Sequence, residues 1–247
     1  MLDVHPPHTP THTWRDFLIH IATIVVGLLI AIGLEQTVEA IHHHHQRVQL
    51  EEDLRTEAEL NVYIIDNDLH LAVPEQAWFA SVIATARDAQ PANGVVTFVV
   101  PAFPESLRHS SGDKYSTVPS HGVWAVAQAT GTVDLLPKQQ AQIYNRLDFE
   151  AAEAIRIEGL NDVNSLSLGG VLRTLKIDLR PGSTVRLTPA QRDEFVRATT
   201  QFLELDHWSA LRLAFWQGAS EAVLHNVTSI QQMMSYVQKA SAQVLEP

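Results

Sequence analysis

The sequence predicts a mostly α protein: an N-terminal transmembrane helix that continues into a stalk and a helical-bundle domain. Three observations predict it. Phe17 to Leu34 is a run of about 18 residues with no charge and one polar ring, His20, the lower end of what crosses a bilayer as a helix. Beyond it, apolar residues recur at helical spacing through most of the chain. Only one run, VVTFVV at 95–100, reads as β-like, and no strong partner strand is evident for it, so it is expected as a lone extended segment packed on helices.

Taken in order, residues 1–13 are rich in His, Pro and Thr, with Pro6, Pro7 and Pro10, and predict a flexible tail. The anchor spans 14–41. Trp14 sits where an interfacial aromatic is expected, and Thr37 to Ile41 lengthen the apolar segment if Glu35 and Gln36 lie at the interface. Gly27 and Ala31 form a small-x-x-x-small pair, the pattern that lets two membrane helices approach closely. A cleaved signal peptide fits poorly. The lead-in holds a single Arg, and the apolar core runs into GLEQTVEAIHHHHQR without an A-x-A-like site.

From 42 to 247 the chain predicts a helical, membrane-tethered domain. Its stalk, about 42–72, carries Leu50, Leu54, Ala58, Ile65 and Leu69 on one side and Glu51, Glu52, Asp53, Glu57 and Glu59 on the other. Pro74 is expected to end that helix and EQAWFASVIATARDAQ to form a second, with Asn93-Gly94 a turn. Residues 101–122 form a long irregular loop, of the length that is functional or mobile in a compact domain. Ser120 is placed to cap VWAVAQAT, which Gly131 ends. Pro137 opens a helix with Ile143, Leu147, Ala151 and Ala154 on one face, expected to stop near Gly159, and Gly169-Gly170 weakens the segment after it. Pro181-Gly182 is a turn. Thr188-Pro189 is an N-cap and N1 pair starting a long helix with Phe195, Phe202, Leu205, Trp208, Leu213 and Trp216. Ile230, Met233, Val237, Ala240 and Val244 then repeat over two heptads, a seam for the stalk helix or for a second copy.

The block WRDFLIHIATIVVGLLIAIGLEQTVE, with its aromatic-charged lead, Gly-Leu-Leu-Ile-Ala core and polar exit, resembles a family of uncharacterised bacterial single-pass membrane proteins. WAVAQATGTVDLLP, followed by the amphipathic helix with Tyr144, resembles a second segment seen in some of them. The family has no assigned activity, so the resemblance implies an anchor and a helical domain beyond it and carries over no catalytic residue.

Composition excludes several function classes. Asp and Glu number 28 against 17 Lys and Arg, a formal charge of -11, which opposes binding to nucleic acid or to anionic lipid. With no cysteine, disulfides, thiolate metal sites and Cys nucleophiles are excluded. No H-E-x-x-H, Walker A or G-x-G-x-x-G motif is present.

Four groups of residues remain as candidates. His42 and His45 lie at i, i+3 on one helical face, with Glu39 nearby, a start on a Zn²⁺ or Ni²⁺ site that lacks further ligands; a polar collar where the helix leaves lipid explains them as well. His20 and Glu35, ionisable groups at the ends of the apolar segment, read as boundary residues able to snorkel. His109, Ser110, Ser111, Asp113, Lys114, Tyr115, Ser116 and His121 hold the residue types of a hydrolase without a nucleophile elbow. Asp206-His207-Trp208 reads as a helix-surface set, since adjacent helical residues point about 100° apart.

The expectation is therefore a non-enzymatic scaffold or accessory subunit of a membrane complex. Its interaction residues would be Gly27, Ala31, Ile230, Met233 and Val237, its partners the lipid bilayer and a second copy or another membrane protein, with no cofactor. The rivals are an envelope hydrolase using the 109–121 loop and a metal or pH sensor using the His collar. The location expected is the bacterial inner membrane, with the domain on the periplasmic side.

Overall fold

The structure, a computed structural model, describes residues 14–105 and 119–245. The tail expected over 1–13 and most of the 101–122 loop lie outside them. The chain is mostly α and divides into two units, Met1–Gln49 and Leu50–Pro247. Among the described residues the elements are α1 (Trp14–Asp88), β1 (Pro91–Ala92), β2 (Val95–Val99), α2 (Gly122–Thr130), a 3₁₀ turn (Thr132–Leu135), α3 (Lys138–Leu175), β3 (Thr184–Leu187), α4 (Pro189–Leu224) and α5 (Ile230–Leu245).

In the first unit the described residues are the opening turns of α1, and none of them is buried. In the second unit α1 becomes a core helix at once. Leu50, Leu54, Ala58, Ile65 and Leu69, the face read from the sequence, are all buried. The helix does not stop at Pro74. It runs through to Asp88, so EQAWFASVIATARDAQ continues α1 rather than forming a helix of its own. Proline removes one N–H and crowds the carbonyl four residues back. That carbonyl belongs to His70, an exposed residue, where water can take the place of the lost donor. Trp78, Val82 and Ala86 bury the continuation and hold it helical.

The apolar run at 95–100 is not alone. β2 pairs antiparallel with β1 (Ala92 with Val95) and with β3 (Val96 with Leu187, Phe98 with Val185). Asn93 and Gly94 both have positive φ, 53° and 79°, the type I′ geometry whose twist suits a two-residue hairpin. The partner strand, Thr-Val-Arg-Leu, alternates exposed and buried residues in the period of a half-buried strand. That alternation is the signal that identifies it, and its shortness and charged Arg186 obscure it.

α3 also outruns its expected end, passing Gly159 and Gly169-Gly170 to close at Lys176 in the left-handed region. A helical glycine costs only about 1 kcal/mol relative to alanine, and tertiary packing of Ile143, Leu147, Ala151 and Leu168 overrides it. α4 begins as read. Thr188 accepts from the Gln191 N–H while the Gln191 side chain accepts from the Thr188 N–H, a complete capping box with Pro189 behind it. Ser120 is not the cap of α2. His121 holds that position without a capping bond, and the Glu57 carboxylate of α1 accepts from the Val123 N–H at 3.4 Å instead.

Among the described residues, two apolar clusters fill the second unit. The larger joins α1, α2, α3, α4 and α5 around Leu54, Ile65, Trp216 and Met233. The smaller lies under the sheet, with Trp78, Val82, Phe98, Val185, Leu187 and Phe195.

Candidate functional site

The first unit presents one helix long and apolar enough to cross a membrane, with a mean hydropathy of 2.7 over its best window and none of that window buried. A core helix of the same composition would hide this surface against the rest of the chain. Its polar groups are satisfied within the helix. Thr23 donates to the Ile19 carbonyl at 2.9 Å, Thr37 to the Gly33 carbonyl at 2.7 Å, and the His20 ring bonds the Asp16 carbonyl at 2.9 Å. Such back-bonding removes the cost of an open hydroxyl in hydrocarbon. Gly27 and Ala31 lie one turn apart on this surface, and a Cβ added to Gly27 would meet nothing within 4 Å.

The histidines at 42–45 are exposed. Glu39 meets His43, 3.9 Å away at i, i+4, rather than His42, and Arg47 stands 3.4 Å from the His44 ring. Among the described residues no three ligating side chains converge there or elsewhere.

Of the heptad residues on α5, Met233 and Val237 are interior to this chain's own bundle, 0% and 2% exposed, while Ile230 is 37% exposed. Their neighbour is α4, which comes close because residue 218 is glycine: a Cβ there would lie 2.6 Å from Val237 Cα and 2.7 Å from the Tyr236 carbonyl oxygen.

Of the loop candidates, His109, Ser110, Ser111, Asp113, Lys114, Tyr115 and Ser116 lie outside the described residues. His121 faces Asp148 on α3, with Nδ1 3.4 Å from the carboxylate, and meets the Trp216 ring edge-on. The backbone before it is clamped. Asn61, 2% exposed, donates to the Ser120 carbonyl at 2.6 Å and accepts from its N–H at 2.8 Å, and the Ser120 hydroxyl donates to Glu57 at 2.9 Å. Asp206 and His207 do not pair with each other. Gln76 of α1 links them, donating to Asp206 at 2.9 Å and approaching the His207 ring at 3.4 Å.

The sequence reading missed a cleft of about 160 Å³ in the second unit, where α1, α3 and α4 converge. Asp68, Glu75, Glu158, Asp162 and Asp206 stand around it, and Phe202, Ala210 and Leu213 form an apolar wall. Asp206 is held in place by Gln76 and by Asn161, which donates at 3.0 Å. Burial raises the pKa of Glu158 above the ordinary carboxylate range, and the charges of Asp162 and Asp68 raise it further. The only local signal was Glu158 and Asp162 at i, i+4, a like-charge spacing that also occurs on any solvated helix face.

No family model, curated protein or solved structure matches this chain.

Proposed function

We propose that this chain is a single-pass membrane protein whose helical domain works by interaction, as a scaffold or accessory subunit of a membrane complex. One observation carries the reading: the 17–34 segment is free of charge and predominantly apolar, satisfies its own polar groups and is covered by no described residue of its own chain. A surface of this kind costs on the order of 25 cal/mol per Å² in water, and a lipid bilayer removes that cost. Gly27 and Ala31 would then form the face on which a second membrane helix packs. The likeness of Trp14–Glu39 to a bacterial single-pass family supports a bacterial inner membrane.

The test is expression of the full chain, alkaline extraction of membranes, and mass determination in mild detergent. The reading expects intact protein, residues 17–34 retained, in the carbonate-resistant pellet, and a defined oligomer or partner that Gly27→Leu weakens while helicity is unchanged. Release by carbonate, or a clean monomer that Gly27→Leu leaves unaltered, defeats it.

A further inference from the structure

The cleft between α1, α3 and α4 goes beyond the anchor reading, because its chemistry is that of a ligand site. An acidic rim alone is ordinary. What sets this one apart is its collection of acceptors lacking donors. Glu158 and Asp162 carry like charges one turn apart, and neither is in an ion pair or hydrogen bond with a described residue. The Asn161 Nδ2 donates to Asp206, but its Oδ1 is buried and receives no hydrogen bond. Ser209, 6% exposed on the cleft wall, makes no side-chain hydrogen bond to any described residue. A buried acceptor left open costs about 1–3 kcal/mol, and Glu158, half-buried beside the exposed Asp162, has like charges rather than a counter-charge for neighbours. A cation carrying N–H donors would satisfy Glu158, Asp162 and Ser209 together.

We propose that the cleft binds a primary ammonium group on an alkyl arm. Its three N–H donors are directed to Glu158, Asp162 and Ser209, while Phe202, Ala210 and Leu213 receive the methylenes. A hydrated metal ion fits less well, since one side of the cleft is apolar and no three ligating side chains among the described residues are placed for coordination. An aminoalkyl arm occurs both in a free polyamine and in a lysine side chain of a partner protein. The shared chemistry is the ammonium group.

Isothermal titration of the full chain, in non-ionic detergent and amine-free buffer, decides the matter with two probes: spermidine and a blocked Ala-Lys-Ala peptide. At least one is expected to bind with one-site stoichiometry. Glu158→Gln/Asp162→Asn should weaken it tenfold or more, Ser209→Ala severalfold, and the exposed Glu59→Gln not at all. Thermal melts of the same variants report folding, which the double variant should not impair because it removes like-charge repulsion. Spermidine alone binding assigns a small-molecule site; the peptide alone assigns a partner's side chain. Failure of both probes to saturate, binding unchanged in the double variant, or an equal loss in Glu59→Gln overturns the proposal.

Discussion

Gly218 is the residue on which the α4–α5 contact depends. Alanine at a helical glycine ordinarily stabilises by up to about 1 kcal/mol. Here the added methyl would strike backbone atoms of Tyr236 and Val237, which cannot rotate away. Gly218→Ala is therefore expected to destabilise by about 1–3 kcal/mol, the usual cost of overpacking, as a lower urea midpoint. Glu150 is a second decisive position. Its side chain is 0% exposed, paired with Arg146 one turn before it on α3 and 3.8 Å from Arg212 of α4, though neither oxygen completes a hydrogen bond. Removing one partner of a buried pair leaves a charge in a medium that solvates it poorly. Arg146→Met should accordingly cost about 3 kcal/mol in chemical denaturation. Glu158 gives a pH dependence with a definite sign. Its pKa rises on folding, so the folded state holds the proton more tightly than the unfolded one. That contribution favours folding at pH below the unfolded pKa and is lost as pH rises through the folded pKa. At neutral pH the charged group opposes folding. Glu158→Gln should raise the melting temperature at pH 7 and change it little at pH 4.

At the scale of elements, what could be read depended on whether the signal was local. The start of α4 was legible because a capping box is chemistry within four residues, Thr188 to Gln191. Thr188→Ala is expected to cost about 1 kcal/mol, seen as a lower denaturation midpoint. The Asn93-Gly94 turn was legible for the same reason: its two residues alone tolerate the required positive φ. Helix ends set by breakers were misread. Pro74, Gly159 and Gly169-Gly170 are unfavourable locally, but contacts distant in sequence outweigh them. The sheet was half legible, since β2 showed its apolar run while β3 could be recognised only with its partner in view. The cap of α2 was out of reach, because Glu57 comes from a helix more than sixty residues earlier.

For the whole molecule, the division among the described residues is between an apolar first-unit stretch of α1 with nothing buried and a second unit with its own two cores. The first was legible from composition alone, as an 18-residue charge-free run needs no tertiary information. The cleft was not, because Asp68, Glu158 and Asp206 are each unremarkable on their own helix and acquire meaning only by convergence. An aspartate at the centre of the apolar run tests the anchor at this scale. Leu28→Asp adds roughly 3 kcal/mol to insertion and should shift the protein out of the carbonate-resistant fraction. The small sheet has a consequence in time. Val96 and Phe98 meet Leu187 and Val185 only after the chain between, residues 100–183, has been gathered. α4 and α5 are joined by a short turn and can dock almost as soon as they form. Loop closure must precede any return from the distant pairing, so the strands are set to be the slow event of refolding. In pulsed hydrogen exchange, the amides of β2 should gain protection after those of α4 and α5, making strand closure the step that limits how fast the domain matures.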